Sequence, residues 1–265
     1  MEESIRIAVL GNVDSGKSTT ISVLKNNILD NGRGSARIKV FKHKHEAESG
    51  RTSSLNHTHI KKDSKLITYV DLAGHEKYLK TTVFGLNACS IDYVLILVGA
   101  NMGVQRMTRE HFKIAISLNL PIIFVITKID ICPNNILDQT IENIKKLISL
   151  GYKKHPKKAL IIDSNESYST SLNFYKEHNI PIFKISNNTG ENLFYLKNFI
   201  NSLSLLVNYE NKIDEEPLFM IEETFFVNGV GCVVSGVVKQ GKINVGDKFF
   251  RGPFNGLFKS MIVKS

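Results

Sequence analysis

The chain has 265 residues, 42% of them hydrophobic, which suffices for one large domain with a proper core and part of a second. No apolar run is long enough for a membrane-spanning helix, and Met1-Glu2-Glu3 is not a charged-then-apolar leader, so neither a membrane anchor nor a secretory signal is expected. A formal net charge of +9 favours an anionic partner, RNA before DNA, although the abundance of Ile, Asn and Lys fits an A/T-biased genome equally well.

In chain order, the apolar run Ile5–Leu10 predicts a strand. The residues after it, Gly11-Asn12-Val13-Asp14-Ser15-Gly16-Lys17-Ser18 and then Thr19, fit G-x-x-x-x-G-K-[ST]. A helix-compatible stretch from Lys17 to Leu29 completes the strand–loop–helix setting in which such a loop cradles phosphate. Gly11 and Gly16 let the backbone wrap closely around phosphate oxygens, and N–H groups at a helix N-terminus point at the anion. Lys17 is expected to reach the β- and γ-phosphates, and Ser18 to place its hydroxyl on Mg²⁺. This is the signature of a nucleoside triphosphate site.

Next come Arg33, Arg37, Lys39, Lys42, His43 and Lys44, which read equally as RNA contacts or as a charged switch segment. The H-x-H pairs His43/His45 and His57/His59 read as solvated or RNA-facing rather than as zinc ligands. Residues His57–Lys62 are expected as an edge strand, turned back by Asp63-Ser64 into a strand Leu66–Asp71. At the end of that strand stands Asp71-Leu72-Ala73-Gly74. Asp71 is placed to hold Mg²⁺ through water and the Gly74 N–H to meet the γ-phosphate, so loss of that phosphate relaxes the segment after Gly74.

Strands Tyr93–Val98 and Ile122–Thr127 are expected next, with a helix from about Thr108 to Leu118 between them. Thr127-Lys128-Ile129-Asp130 closes the second. A carboxylate at Asp130 accepts two hydrogen bonds from the N–H edge of guanine, whereas adenine presents an acceptor there; sites of this kind discriminate by about 10⁴-fold. Lys128 lies along the base. A helix Asn134–Leu150 comes after it, then a surface loop Lys153–Lys158, a strand Ile182–Ser186 and a helix Glu191–Leu203. Ser186-Asn187-Asn188 supplies contacts to the guanine carbonyl. Each of these elements sits at the C-terminal end of a strand, where open α/β sheets bind ligands.

Strands alternating with amphipathic runs up to about Leu206 give a mostly parallel sheet flanked by helices. Residues Asn208 to Glu216 read as a linker, and Phe225 to Val238 as antiparallel β with turns at Gly241 and Asn244 to Asp247. The expected division is therefore 1–207, a linker 208–216, and 217–265. Pro217 to Ser265 is too short to close a barrel, so unpaired edges should leave it poorly ordered or paired with another molecule; the oligomeric state stays open. The three cysteines, Cys89, Cys132 and Cys232, show no C-x-x-C spacing and suit reduced thiols in the cytoplasm.

These residues together carry a family resemblance. The chain resembles translational GTPases of the elongation factor Tu class through Val13-Asp14, Gly50-Arg51-Thr52, and Asp71-Leu72-Ala73-Gly74-His75-Glu76. Gly229, Gly231, Val233, Val234, Gly236, Gly241 and Gly246-Asp247 extend it into the second domain. Within the class it is similar to the subfamily called GTP-binding protein 1 and 2, through Asp30-Asn31-Gly32-Arg33-Gly34, Ala36-Arg37, His43-Lys44-His45-Glu46, the run from Glu48 to Ser54, and the run from Gly74 to Gly85.

The resemblance implies an α/β fold, a P-loop GTPase domain followed by a partial antiparallel β-barrel. It implies that GTP is hydrolysed to GDP and phosphate as a conformational switch, at the ribosome or on mRNA or tRNA. It further implies that Thr52 joins Ser18 and Asp71 around Mg²⁺, that His75 positions the attacking water, and that Asp14 helps hold a monovalent cation. A slow or non-hydrolysing guanine-nucleotide regulator or decoy is the alternative, and an ATP-using enzyme a third reading against which Asp130 argues. Two departures stand out: most of the class has Asn where Thr127 stands, and Arg51 replaces the apolar residue before the switch threonine.

Overall fold

Strand β1 (Glu3–Gly11) buries side chains on both of its faces. Ile5, Ile7 and Val9 pack into one apolar cluster, and Ala8 and Leu10 into another. Because successive strand side chains point to opposite faces, β1 has to lie inside a sheet covered on both sides. The computed structural model, which describes residues 3–40, 56–62, 65–206 and 210–264, places it there.

The chain falls into two compact units, Met1–Leu205 and Leu206–Ser265. In the first, β1 is followed by α1 (Lys17–Asn26), β2 (Asn56–Lys62), β3 (Lys65–Asp71), α2 (Leu79–Ala88), β4 (Tyr93–Gly99) and α3 (Arg106–Ser117). Then come β5 (Ile122–Thr127), α4 (Asn134–Gly151), β6 (Lys158–Ile162), α5 (Asn165–Ser171), β7 (Asn179–Lys184) and α6 (Leu193–Ser202). The 7-stranded sheet runs β2-β3-β1-β4-β5-β7-β6. Its pairings are parallel except for β2, which lies antiparallel to β3 with Asn56 opposite Asp71 and Lys62 opposite Lys65. The edge strand expected from His57 is therefore present, one residue longer; its turn at Asp63-Ser64 lies outside the described residues.

Helices cover both faces. Leu86 of α2, Phe112 of α3 and Ile144 of α4 join the cluster of Ala8 and Leu10. Ile21 and Leu24 of α1 join that of Ile5, Ile7 and Val9, together with Leu196 and Phe199 of α6. No helix of the described residues is long and apolar enough to cross a membrane.

Three features correct the sequence reading. The loop expected over Lys153–Lys158 ends one residue early, because Lys158 opens β6, which is followed by the unforeseen α5. That helix is short and polar and owes its start to a capping box between Ser164 and Ser167. The strand expected at Ile182–Ser186 lies earlier, at Asn179–Lys184, and includes Pro181. Proline fits because Pro181 pairs with Leu160 of β6, while the ladder to β5 begins only at Ile182. Helix α2, with two threonines, a valine and a glycine in ten residues, gave too little propensity to be read as a helix.

The second unit holds β8 (Leu218–Val227), β9 (Gly231–Gln240), β10 (Lys248–Phe254) and β11 (Leu257–Ile262). They form two antiparallel hairpins, β8-β9 and β10-β11, each a 2-stranded sheet. Asn255 and Gly256 turn the second with φ of 51° and 81°, as a tight hairpin requires. Among the described residues there is no closed barrel, and Phe226, Phe250 and Leu257 are more than two-thirds exposed, at 82%, 78% and 71%.

Candidate functional site

The loops at the ends of β1, β3, β5 and β7 gather at one end of the sheet. A Cβ on Gly11 would lie 2.4 Å from the Leu97 carbonyl oxygen and 2.5 Å from Ser15 Oγ, so only glycine lets the chain turn there. The loop closes on itself, with the Ser15 hydroxyl donating to the Asn12 carbonyl at 2.9 Å. Past Val13, Asp14 takes a φ of 60°, and Gly16, at 83°, caps the start of α1.

Lys17 folds back over this loop, its Nζ donating to the Gly11 and Asn12 carbonyls at 3.1 and 2.8 Å. Burial pushes its ammonium below the usual lysine range, partly offset by the carboxylates of Asp71 and Asp14. A desolvated cation of this kind gains more from phosphate oxygens than an exposed one does. Ser18 Oγ donates to Asp71 Oδ2 at 2.6 Å. A hydroxyl and a carboxylate oxygen in contact are the hard donors that Mg²⁺ prefers. No group of three or more His, Cys, Asp or Glu poised for a metal occurs among the described residues. The residues present fit the ion. Thr52, expected beside them, lies outside the described residues, as do Arg51, His43 and His45.

Gly74 approaches the same loop. A Cβ there would sit 2.6 Å from both the Gly11 carbonyl oxygen and Lys17 Nζ. Next to it, His75 is exposed, and its Nδ1 accepts from the Lys77 N–H at 3.3 Å, capping a short 3₁₀ turn. That bond leaves the proton of a neutral ring on Nε2. The rings of His57 and His59 stand 6.5 Å apart, and His59 Nδ1 shares a 3.0 Å hydrogen bond with Thr68 Oγ1.

On the base side, Thr127 is fully buried and donates from its hydroxyl to the Ser15 carbonyl at 2.9 Å, tying the end of β5 to the phosphate loop. Lys128 turns the chain at a φ of 62°, and the Asp130 carboxylate accepts from Asn188 Nδ2 at 3.4 Å. Buried Ser186 accepts from the Asn188 and Thr189 N–H groups, which shapes its loop. Asn187 Nδ2 donates to Thr20 Oγ1 at 2.9 Å, joining that loop to α1.

A cavity of about 330 Å³ lies among these loops. Asp14, Gly16 and Thr19 line it from the phosphate loop, and Lys128, Asp130, Asn187 and Asn188 from the base-recognition loops. Lys17, Ser18, Asp71, Gly74 and His75 are not among its lining residues. The sequence reading missed one wall, formed by Asp30, Gly32, Arg33, Gly34 and Arg37, along with Ile131. The Asp-Asn-Gly spacing of a turn at residue 30 was the available signal for that wall.

Residues 2–215 match the family described as the elongation factor Tu GTP binding domain. GTP-binding protein 1 of Xenopus laevis is 46% identical, across 98% of this chain and 43% of its own length. GTP-binding protein 2 of Homo sapiens is 38% identical, across 94% of this chain and 45% of its own. The chain thus spans less than half the length of these relatives. The elongation factor SelB of Methanococcus maripaludis, solved with the GTP analogue GppNHp, superposes with a TM-score of 0.66 at 24% identity, over 94% of this chain and 44% of that one. At that identity the likeness speaks to the fold alone.

Proposed function

We propose, because the chain belongs to the elongation factor Tu GTP-binding domain family, that it binds GTP with Mg²⁺, hydrolyses it to GDP and phosphate, and uses the lost phosphate as a conformational switch. The observation that carries this is a single cavity lined both by the phosphate loop and by Asp130 with Asn188, so that one nucleotide meets both. Lys17 gives its charge to the β- and γ-phosphates, exchanging the Gly11 and Asn12 carbonyls for phosphate oxygens. The Gly74 N–H meets the γ-phosphate, and Asp130 reads the N–H edge of guanine. Ser18 and Asp71, with Thr52, would hold the Mg²⁺, which would supply charge neutralisation at the phosphate oxygens. His75 orients the attacking water from the residue next to Gly74. Asp14, at the exposed tip of the loop, is where a monovalent cation would sit.

The process this reading implies is translation or mRNA surveillance in the cytoplasm, with the ribosome or an RNA as the partner that accelerates turnover. The cytoplasm suits three cysteines that form no disulfide. Titration with GDP and ADP, then single-turnover GTP hydrolysis with and without ribosomes, tests the reading. GDP should bind at least about 10³-fold more tightly than ADP. His75→Ala should lower hydrolysis about 10²-fold or more while leaving GDP affinity unchanged. Equal affinity for the two nucleotides, or full activity in the variant, would overturn the assignment concerned.

A further inference from the structure

The wall formed by residues 30–37 is held together by hydrogen bonds of its own. Asp30 Oδ2 accepts from the N–H groups of Gly32 and Gly34 at 3.1 and 3.0 Å, and Oδ1 from that of Ala36 at 2.9 Å. Asn31 Oδ1 accepts from the Arg33 N–H at 2.9 Å. The Asp30 carboxylate thus organises its own loop backbone. The segment is also docked: Asp30 N–H donates to the Asn187 carbonyl at 2.9 Å, and Ser22 Oγ to the Ala36 carbonyl.

This scaffold treats its two arginines differently. The Arg37 guanidinium lies across the backbone at Gly34, where a Cβ would come within 2.6 Å of Nε and 2.9 Å of Cζ. Arg37 braces the loop. Arg33 is exposed, lines the cavity, and makes no side-chain hydrogen bond or ion pair among the described residues. The cavity also holds an apolar group, Ile131, which is 63% exposed.

From this geometry we infer that Arg33 clamps the nucleoside half of the bound nucleotide, laying its planar guanidinium on the face of the purine while Asp130 reads the purine edge. Arginine stacks on aromatic faces in this way, and lysine, a compact point charge, does not. The inference rests on the guanine-nucleotide reading above. It adds a grip that is blind to the γ-phosphate: Arg33 slows release of GDP and GTP by the same factor and leaves the preference between them untouched.

The test is the release rate of fluorescent mant-GDP and mant-GTP from the whole chain, chased with unlabelled nucleotide. Arg33→Ala should speed release of both about five- to tenfold, with a thermal melt like that of the wild type because the side chain is exposed. Arg33→Lys should fail to restore the slow rate. Asp30→Ala, which removes the carboxylate organising the loop, should speed release at least as much. Unchanged rates in Arg33→Ala would overturn the inference, and so would an effect on mant-GTP alone, which would put Arg33 on the γ-phosphate. A wild-type chain that binds no mant-GDP would sink the nucleotide reading itself, visibly and before any variant is made.

Discussion

His111 of α3 is fully buried, and neither of its ring nitrogens meets a hydrogen-bond partner among the described residues. Burial, helped by the charge of Lys17, pushes its pKa down to about 4. The folded imidazole therefore stays neutral where an unfolded one, near 6.5, takes up a proton. Its contribution to stability is full above about pH 6.5 and is lost as pH falls towards 4. The loss amounts to about 2 kcal/mol between pH 7 and pH 5. Urea midpoints at those two pH values should show this fall in the wild type. In His111→Leu, which has no titrating group and no unpaired nitrogen, the fall should shrink by about that amount. A slope that survives the substitution would assign the acid sensitivity to other residues.

Thr127 shows how one side chain couples two elements. It lacks the amide that most of the class presents to the base, yet its hydroxyl holds the end of β5 to the phosphate loop through the Ser15 carbonyl. Thr127→Val keeps the shape and removes this tie, leaving a buried acceptor short of one donor. Such a loss costs about 1–3 kcal/mol, so GDP release should quicken roughly tenfold or the melting temperature should fall. If neither changes, the tie is incidental. The elements that carry the site were legible because each ends a largely apolar strand: Gly11 closes β1, Asp71 β3 and Thr127 β5. The wall at Asp30–Arg37 was not, because its order comes from carboxylate-to-backbone bonds that leave no hydrophobic period, and its arginines read simply as charge. β6 and α5 escaped for a related reason. The strand is five residues long with a single buried position, and the helix is polar throughout.

For the molecule as a whole, the nucleotide loops all fall within Met1–Leu205. We therefore place the functional boundary near residue 207. A fragment 1–207 should fold cooperatively and bind GDP within about threefold of the whole chain, as calorimetry on both would check. A fragment that fails to bind would show that Leu206–Ser265 contributes to the site. The hairpins of that second unit leave the large apolar side chains of Phe226, Phe250 and Leu257 exposed.

The register of β2 against β3 bears on how the switch reports. Asn56, a few residues past the stretch bearing Thr52, stands directly across from Asp71, three residues before Gly74. In the switch proposed above, the residues assigned to the terminal phosphate flank this one rung in sequence. A pull on Asn56 or on Asp71 would reach the other across it, so the switch we propose would send one message, in unison, rather than two.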